Sequence, residues 1–361
     1  MSDNPKEAEK QMEKAIFISA DCWLGVFDLL EPSQLGLGIA LISHRFDLYV
    51  DEHFKTRKWT LERIQIRSKF GENGTKEMQI ANWYGKPSPI PQIQLPRKVV
   101  GFYAIDISFI DRNVIAFLRN LRPLFTSCCP INLTIDAYNM RILDFIVHNI
   151  WPMLGKNICG LNSTVRCFRR LRQFVPSVLN GCPPLRFVNL KFGDLFPEFP
   201  CDDSAMASDG QAVAKWLFTP HPNNVPKILK CYFSMDIRKN WPLKIDAFKA
   251  AFANASSPAN FIAVIYVPPY FFDFVVRFDL TNELTREQLA LKRIDDSWHI
   301  LFVRCPIARD ENKWAKWEKE AIDLGIYDQR NQIDIRIYEE DKIGDGLLDA
   351  MIGPSDQQQQ K

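Results

Sequence analysis

The feature that most constrains the fold is a regular alternation of short strands and amphipathic helices that begins near residue 130. Ile131–Asp136 alternates apolar and polar side chains with a period of two, which predicts a strand. Two more predicted strands follow, and the three strand centres, Leu133, Leu161 and Val188, lie about 27–28 residues apart. Strand–helix–strand units of this length predict parallel strands with helices packed on the outside.

Neighbouring units of this alternation must stack, because a single unit cannot bury its own apolar face. The strand at 185–190 has the L-x-x-L-x-L form of a leucine-rich repeat and resembles one, whereas the other units match that pattern less well. We therefore expect an irregular leucine-rich-repeat-like α/β layer over 97–270, with an ordinary α/β domain as the alternative. Outward-facing strand residues on its concave side are the candidate substrate-binding groups: Asn132, Thr134, Asp136, Asn162, Asn189 and Lys191.

The last quarter of the sequence changes character. Its strands are joined by short links and predict an antiparallel sheet over 271–340, with strands at 274–280, 288–293, 300–304 and 333–338. One helix interrupts them after Asp310, and Trp314, Trp317 and Ala321 share a face of it. The sequence therefore predicts a second domain in which one helix is carried by an antiparallel sheet.

Three polar segments lie outside these domains. Residues 1–16 and 341–361 have few apolar side chains, which predicts a disordered lead and a disordered tail. Basic residues are clustered between Lys55 and Lys69, and we expect them to form the solvated face of a helix.

The N-terminal stretch Phe17–Leu61 predicts three short helices. Ser19 is a suitable N-cap for the first, whose apolar side chains then recur at i, i+3, i+4 and i+7. A second, more apolar helix is expected to follow Pro32, and a third to run from about Ser43 to Phe54. Three helices in about 45 residues cannot bury all of this apolar surface among themselves, so part of it must face a neighbour.

Three strings in this stretch, Val26–Leu30, Pro32–Leu35 and Leu41–Phe46, resemble an F-box, the helical module by which substrate receptors dock onto the Skp-type adaptor of ubiquitin ligases. Phe17–Ser19 stands where the usual opening Leu-Pro pair of that motif would be. The tryptophan-rich string Trp298–Glu320 is similar to the same group, the F-box-like proteins that are numerous in nematodes.

The resemblance implies a three-helix F-box-like module at 17–61 that binds a Skp-type adaptor and, through it, a cullin. The adaptor-binding residues that it implies are the apolar side chains of the first two helices and the start of the third: Trp23, Val26, Phe27, Leu30, Pro32, Leu35, Leu41, Ile42 and Phe46.

Composition excludes several other classes of protein. Lys and Arg total 45 against 43 Asp and Glu, so no basic excess favours nucleic acid or an anionic membrane. The densest basic cluster, Arg166–Arg172, has helical spacing that favours outward arginines over an RNA-binding surface. The N-terminus lacks the apolar core of a signal peptide, and no apolar run is long enough for a membrane span.

Nothing in the sequence predicts catalysis, a metal site or a cofactor. No phosphate-binding, dinucleotide-binding or zinc-protease motif occurs, and the five histidines are far apart. The nine cysteines include no C-x-x-C pair, which favours free buried thiols in a reducing compartment, cytoplasmic or nuclear.

Two functional hypotheses follow. The first is a non-catalytic substrate receptor that docks a Skp-type adaptor and presents an unknown target protein for ubiquitination. The second is a non-catalytic interaction scaffold whose F-box-like helices only cap its own domain. Replacing apolar residues of the first helix distinguishes the two, because a capping helix loses folding stability whereas a docking helix loses its partner.

Overall fold

The structure is a computed structural model that describes residues 18–30, 32–55, 59–70, 76–82, 99–126, 130–193, 195–232, 240–272, 275–294, 298–323 and 331–351. The chain divides into two units. The first comprises Met1–Thr60 and Leu95–Val100, and the second Leu61–Gln94 and Gly101–Lys361.

The first unit contains the N-terminal helices α1 (Ala20–Phe27), α2 (Pro32–Leu37) and α3 (His44–His53), with a 3-10 turn at Ile39–Leu41 between the last two. The hydroxyl of Ser19 accepts a hydrogen bond from the Cys22 amide and so caps α1, as the sequence predicts. Ser43 caps α3 in the same way by accepting from the Phe46 amide.

The second expected helix is interrupted at Gly38, which separates α2 from the 3-10 turn. Its backbone angles, φ −128° and ψ −70°, are not helical. A Cβ atom at this position would lie 2.7 Å from the Gln34 carbonyl oxygen, so the chain can turn here only with a glycine.

Twelve strands form one sheet: β1 (Trp59–Phe70), β2 (Lys76–Asn82), β3 (Val99–Ile107), β4 (Ile131–Asp136), β5 (Ile158–Thr164), β6 (Phe187–Lys191), β7 (Lys227–Tyr232), β8 (Phe261–Tyr266), β9 (Phe278–Asn282), β10 (Glu287–Ile294), β11 (His299–Pro306) and β12 (Gln332–Arg336). Their order across the sheet is β2-β1-β3-β12-β4-β5-β6-β7-β8-β11-β10-β9. The protein is therefore of the mixed α/β class.

The centre of the sheet, from β3 to β8, is parallel. Leu133 pairs with Leu161, and Leu161 pairs with Val188, so the three predicted strand centres are direct neighbours. The predicted strands and their parallel direction are confirmed, because the spacing of about 27–28 residues leaves room for one crossover helix between neighbours.

The C-terminal strands do not form a separate antiparallel sheet. β9, β10 and β11 are antiparallel and continue the main sheet through β8, but β12 lies between β3 and β4 and is parallel to both. The predicted boundary at residue 270 therefore does not divide two domains. Insertion of β12 pairs its backbone groups on both sides and buries Ile333 and Ile335 completely.

The helices of the second unit are α4 (Arg112–Thr126), α5 (Met140–Asn149), α6 (Trp151–Leu154), α7 (Val165–Phe174), α8 (Asp209–Leu217), α9 (Trp241–Ala253), α10 (Pro269–Phe272) and α11 (Glu311–Asp323). α7 packs on β5 and β6 through a face that buries Phe168 and Leu171. α11 packs on β8, and Trp314 and Ala321 on its inner face are buried.

Two further expectations from the sequence are wrong. The basic stretch near residue 60 is not a helix but the long strand β1, in which Ile64 and Ile66 are buried and Arg67 is exposed. The segment after residue 340 is packed as far as Leu348, because the apolar side chains of Ile343 and Leu348 are buried. Residues 1–16 and 352–361 lie outside the described part of the chain.

Candidate functional site

A row of polar side chains crosses the parallel part of the sheet on one face. The row contains one residue from each of six neighbouring strands, paired in register: Asp106, Asp334, Thr134, Asn162, Asn189 and Lys230. Paired residues of neighbouring strands point to the same side of a sheet, so these side chains lie next to one another. Neighbouring strands are about 4.8 Å apart, and the row is therefore roughly 24 Å long.

The adjacent positions on this face are polar as well. Gln332 pairs with Asn132, Arg336 with Asp136, and Thr164 with Lys191. All six substrate-binding residues predicted from the sequence therefore lie on this side of the sheet, here named the polar face. Asp136 and Lys191 are half-buried, whereas Asn132, Thr134, Asn162 and Asn189 are buried, which corrects the expectation that they face outward. The alternating residues, among them Leu133, Leu161 and Val188, point to the opposite side and are buried.

The polar face ends where the sheet turns apolar toward β8 and β11. There Phe187, Ile228 and Ile262 pack with Trp314 and Ala321 of α11 in one buried cluster. α11 therefore covers the apolar part of the surface.

Hydrogen bonds within the polar face leave several acceptors unused. The Asn162 amide nitrogen donates to the Thr134 hydroxyl at 3.3 Å, and the Tyr338 hydroxyl donates to Asp136 Oδ2 at 3.2 Å. On the polar face, four buried oxygens have no donor among the described residues: Asp136 Oδ1, Asn162 Oδ1, Asn189 Oδ1 and Gln332 Oε1. Buried acceptors are almost always paired, and ordered water is the usual donor where the protein supplies none.

Charge differs between the two ends of the row. At the β3 end, burial raises the pKa of the Asp106 carboxyl, and the Arg63 guanidinium at 3.6 Å opposes that rise. At the β7 end, burial lowers the pKa of the Lys230 ammonium, which donates to the Ile322 carbonyl at 2.8 Å. A ligand lying along the row would therefore contact carboxylates at one end and amines at the other.

The second candidate surface belongs to the N-terminal helices. Of the predicted adaptor-binding residues, Phe27 and Leu35 are buried, and Trp23, Leu30 and Phe46 are half-buried. Val26, Leu41 and Ile42 are exposed, whereas the side chain of Pro32 lies outside the described residues.

Aromatic contacts hold buried and half-buried members of this set together within the unit. The ring of Trp23 meets the ring of Phe46 edge-on with centroids 4.9 Å apart, and Phe27 meets His53 edge-on at 5.9 Å. These contacts give the helices a small aromatic interior of their own.

Sequence reasoning missed residues on both surfaces. Leu29, with 85% of its surface exposed, and Leu48 extend the apolar surface of the helices. Gln332, Asp334 and Arg336 of β12 extend the polar face. The alternation Ile333-Asp334-Ile335-Arg336 signals a strand with one polar side, but it does not reveal which strands will be its neighbours.

The described part of the chain lacks the side-chain groups typical of a metal site and the long apolar helix typical of a membrane span. That part of the chain holds no cluster of three or more His, Cys, Asp or Glu side chains that could bind a metal ion. Its helices are each too short or too polar to cross a membrane.

Comparison with known proteins identifies no relative. No family model matches the sequence, and neither a curated protein nor a solved structure is significantly similar to it.

Proposed function

We propose that the protein is a non-catalytic substrate receptor of the F-box type, which docks a Skp-type adaptor through its N-terminal helices and holds a target protein on its α/β unit. The resemblance of Val26–Leu30, Pro32–Leu35 and Leu41–Phe46 to the F-box supports this proposal. The transfer chemistry would belong to the partners, and this chain would contribute proximity and orientation.

The observation that carries the proposal is that the N-terminal helices bury some apolar side chains among themselves and leave others exposed. Phe27, Val50 and Phe54 are buried, yet Leu29 and Ile42 expose 85% and 62% of their surfaces. Val26, Leu41 and Leu48 are exposed as well. An exposed apolar concentration of this kind in a short segment marks an interaction surface.

The polar face supports the second half of the proposal. A receptor must recognise a polypeptide, and the partly exposed side chains of the polar face, such as Asp136 and Lys191, can hydrogen-bond to one. The change from carboxylates near Asp106 to an amine at Lys230 gives the surface a direction, which favours one orientation of a bound chain.

The test is co-purification of the full-length protein with a Skp-type adaptor. The double variant Leu29→Ala with Ile42→Ala removes exposed apolar surface only, so it should abolish adaptor binding without lowering the melting temperature. Leu284→Ala with Leu243→Ala, which removes similarly exposed leucines from the second unit, is the matched control and should bind like the wild type.

The scaffold hypothesis is tested in the same experiment. Phe27 is only 1% exposed, so Phe27→Ala should cost about 3–5 kcal/mol of folding stability whichever hypothesis holds. If the wild type fails to bind the adaptor while an established F-box protein binds it, the receptor proposal is wrong. The helices would then be an internal cap of an interaction scaffold.

A further inference from the structure

A cavity of about 640 Å³ lies in the second unit. The ends of α8 and α9 line it together with the loop at 199–201, and Arg304 of β11 is also in its wall. The polar lining groups are the side chains of Lys215, Cys201, Thr219, Asn254, Ser256 and Ser257. Phe199, Pro200, Phe218 and four alanines make the rest apolar. This volume and composition are those of a small-molecule site.

Arg304 is the unusual member of the wall, because it is completely buried. Its Nε and Nη2 atoms donate to Glu287 Oε2 at 3.0 and 2.6 Å, and Nη2 also donates to the Ser257 carbonyl at 2.9 Å. The guanidinium carbon lies 5.1 Å from the ring centroid of Phe218 and 5.3 Å from that of Phe252.

One side of this guanidinium remains unused. Nη1 of Arg304 is buried and has no hydrogen-bond acceptor among the described residues. Buried guanidinium donors are normally paired, and carboxylate oxygens are their best acceptors. The unpaired nitrogen therefore indicates that an oxyanion completes the site.

The other charges at the cavity agree with an anionic ligand. Lys215 is a second cation in the wall, and the described lining residues include no carboxylate. Burial raises the pKa of the Cys201 thiol, and the charges of Lys215 and Arg304 both oppose that rise. Glu287 is fully engaged, since its second oxygen accepts from the Ala259 amide at 2.9 Å.

We propose that this cavity binds a small carboxylate with a short apolar body, which places its carboxylate between Arg304 and Lys215 and its body against Phe218 and Ala251. Two cations and an apolar wall suit a monoanion with carbon attached. Inorganic phosphate would have no apolar contact, and a compact dianion would lose more hydration on entry. This proposal does not depend on whether the N-terminal helices bind an adaptor.

The test uses the full-length protein and three probes: hexanoate, hexylamine as its cationic counterpart, and inorganic phosphate. Titration calorimetry should detect hexanoate binding in the millimolar range and no binding of the other two. Hexylamine binding as tightly as hexanoate would overturn the proposal, and so would binding of phosphate alone or of none of the probes.

Amino-acid substitutions test whether hexanoate binds in this cavity. Ala251→Trp fills the cavity and should abolish hexanoate binding, whereas Ala315→Trp on the exposed side of α11 should leave it unchanged. Lys215→Ala should weaken binding about three- to fivefold, as expected for one partly screened charge. Lys316→Ala, an exposed lysine outside the cavity, is its control. Unchanged hexanoate binding by a folded Ala251→Trp variant would refute the assignment.

Discussion

Arg172 Nη1 donates to Asp209 Oδ1 at 2.8 Å, and the two side chains are only 6% and 12% exposed. The other oxygen of Asp209 accepts from Arg169 Nε at 2.8 Å, and Arg170 pairs with Asp144. Arg169, Arg170 and Arg172 of α7 are therefore all paired with carboxylates. The expectation that all its arginines point outward is wrong for Arg172, because Asp209 at the start of α8 offers it a buried partner.

Replacing Asp209 with alanine should lower the free energy of unfolding by about 3–5 kcal/mol, because Arg172 would remain buried without its carboxylate. Urea denaturation measures this change. Asp349→Ala is the control, since Asp349 is 82% exposed in its ion pair with Arg141 and should cost less than about 1 kcal/mol. Similar losses in the two variants would contradict a special role for the buried pair.

The hydrogen bond from Asn162 to Thr134 should contribute to the stability of the polar face. Thr134→Val keeps the shape of the side chain but removes the acceptor, leaving the buried Asn162 amide unpaired at a cost of about 1–3 kcal/mol. Thr134→Ser retains the hydroxyl and should lose less. The urea midpoints of the two variants decide this, and an equal loss would mean that packing of the threonine methyl dominates.

Stability should depend on pH through Lys227. Its ammonium donates to the Trp216 carbonyl at 2.6 Å, and burial lowers its pKa to about 7. An unfolded lysine titrates near 10.4, so between about pH 7 and pH 10 the unfolded state binds the additional proton. Stability from this group therefore rises with pH across that window, with a slope approaching about 1.4 kcal/mol per pH unit, and is constant below it.

Lys227→Met should remove this pH-dependent contribution. The free energy of unfolding of the variant should therefore exceed that of the wild type by most at pH 7 and below. Chemical denaturation at pH 6, 7, 8 and 9 gives the free energy of unfolding of the wild type and of the variant as a function of pH. Lys215→Met, which replaces an exposed lysine, is the control variant measured in the same series. If the curve of Lys227→Met ran parallel to that of the wild type, the buried amine of Lys227 would stay charged over this whole pH range.

The cysteines should differ strongly in reactivity. Cys22 is exposed, whereas burial raises the pKa of Cys159 to about 11 and that of Cys182 to about 12. At pH 8 iodoacetamide should therefore label Cys22 in the native protein and reach the other two only after unfolding, because the thiolate is the reactive form. Mass spectrometry of digests at timed intervals checks this. Equal labelling of Cys22 and Cys182 in the native state would contradict the buried environment.

Local signals in the sequence determined much of the architecture. The alternation in Ile131–Asp136 defined both a strand and which of its side chains are polar, since successive side chains of a strand point to opposite faces. The spacing between Leu133, Leu161 and Val188 implied parallel neighbours. Ser19 and Ser43 marked the starts of α1 and α3, because their hydroxyls satisfy amides that the helix itself leaves unpaired.

Other features were decided by tertiary structure. The alternation in β12 is visible in the sequence, but its place between β3 and β4 depends on backbone pairing across about 200 residues, which no local period encodes. That insertion adds Asp334 and Arg336 to the polar face. The burial of Arg304 likewise depends on Glu287 and Phe218, which come from separate elements of the chain. Periodicity identifies which side of an element is polar, whereas its neighbours depend on long-range pairing and packing.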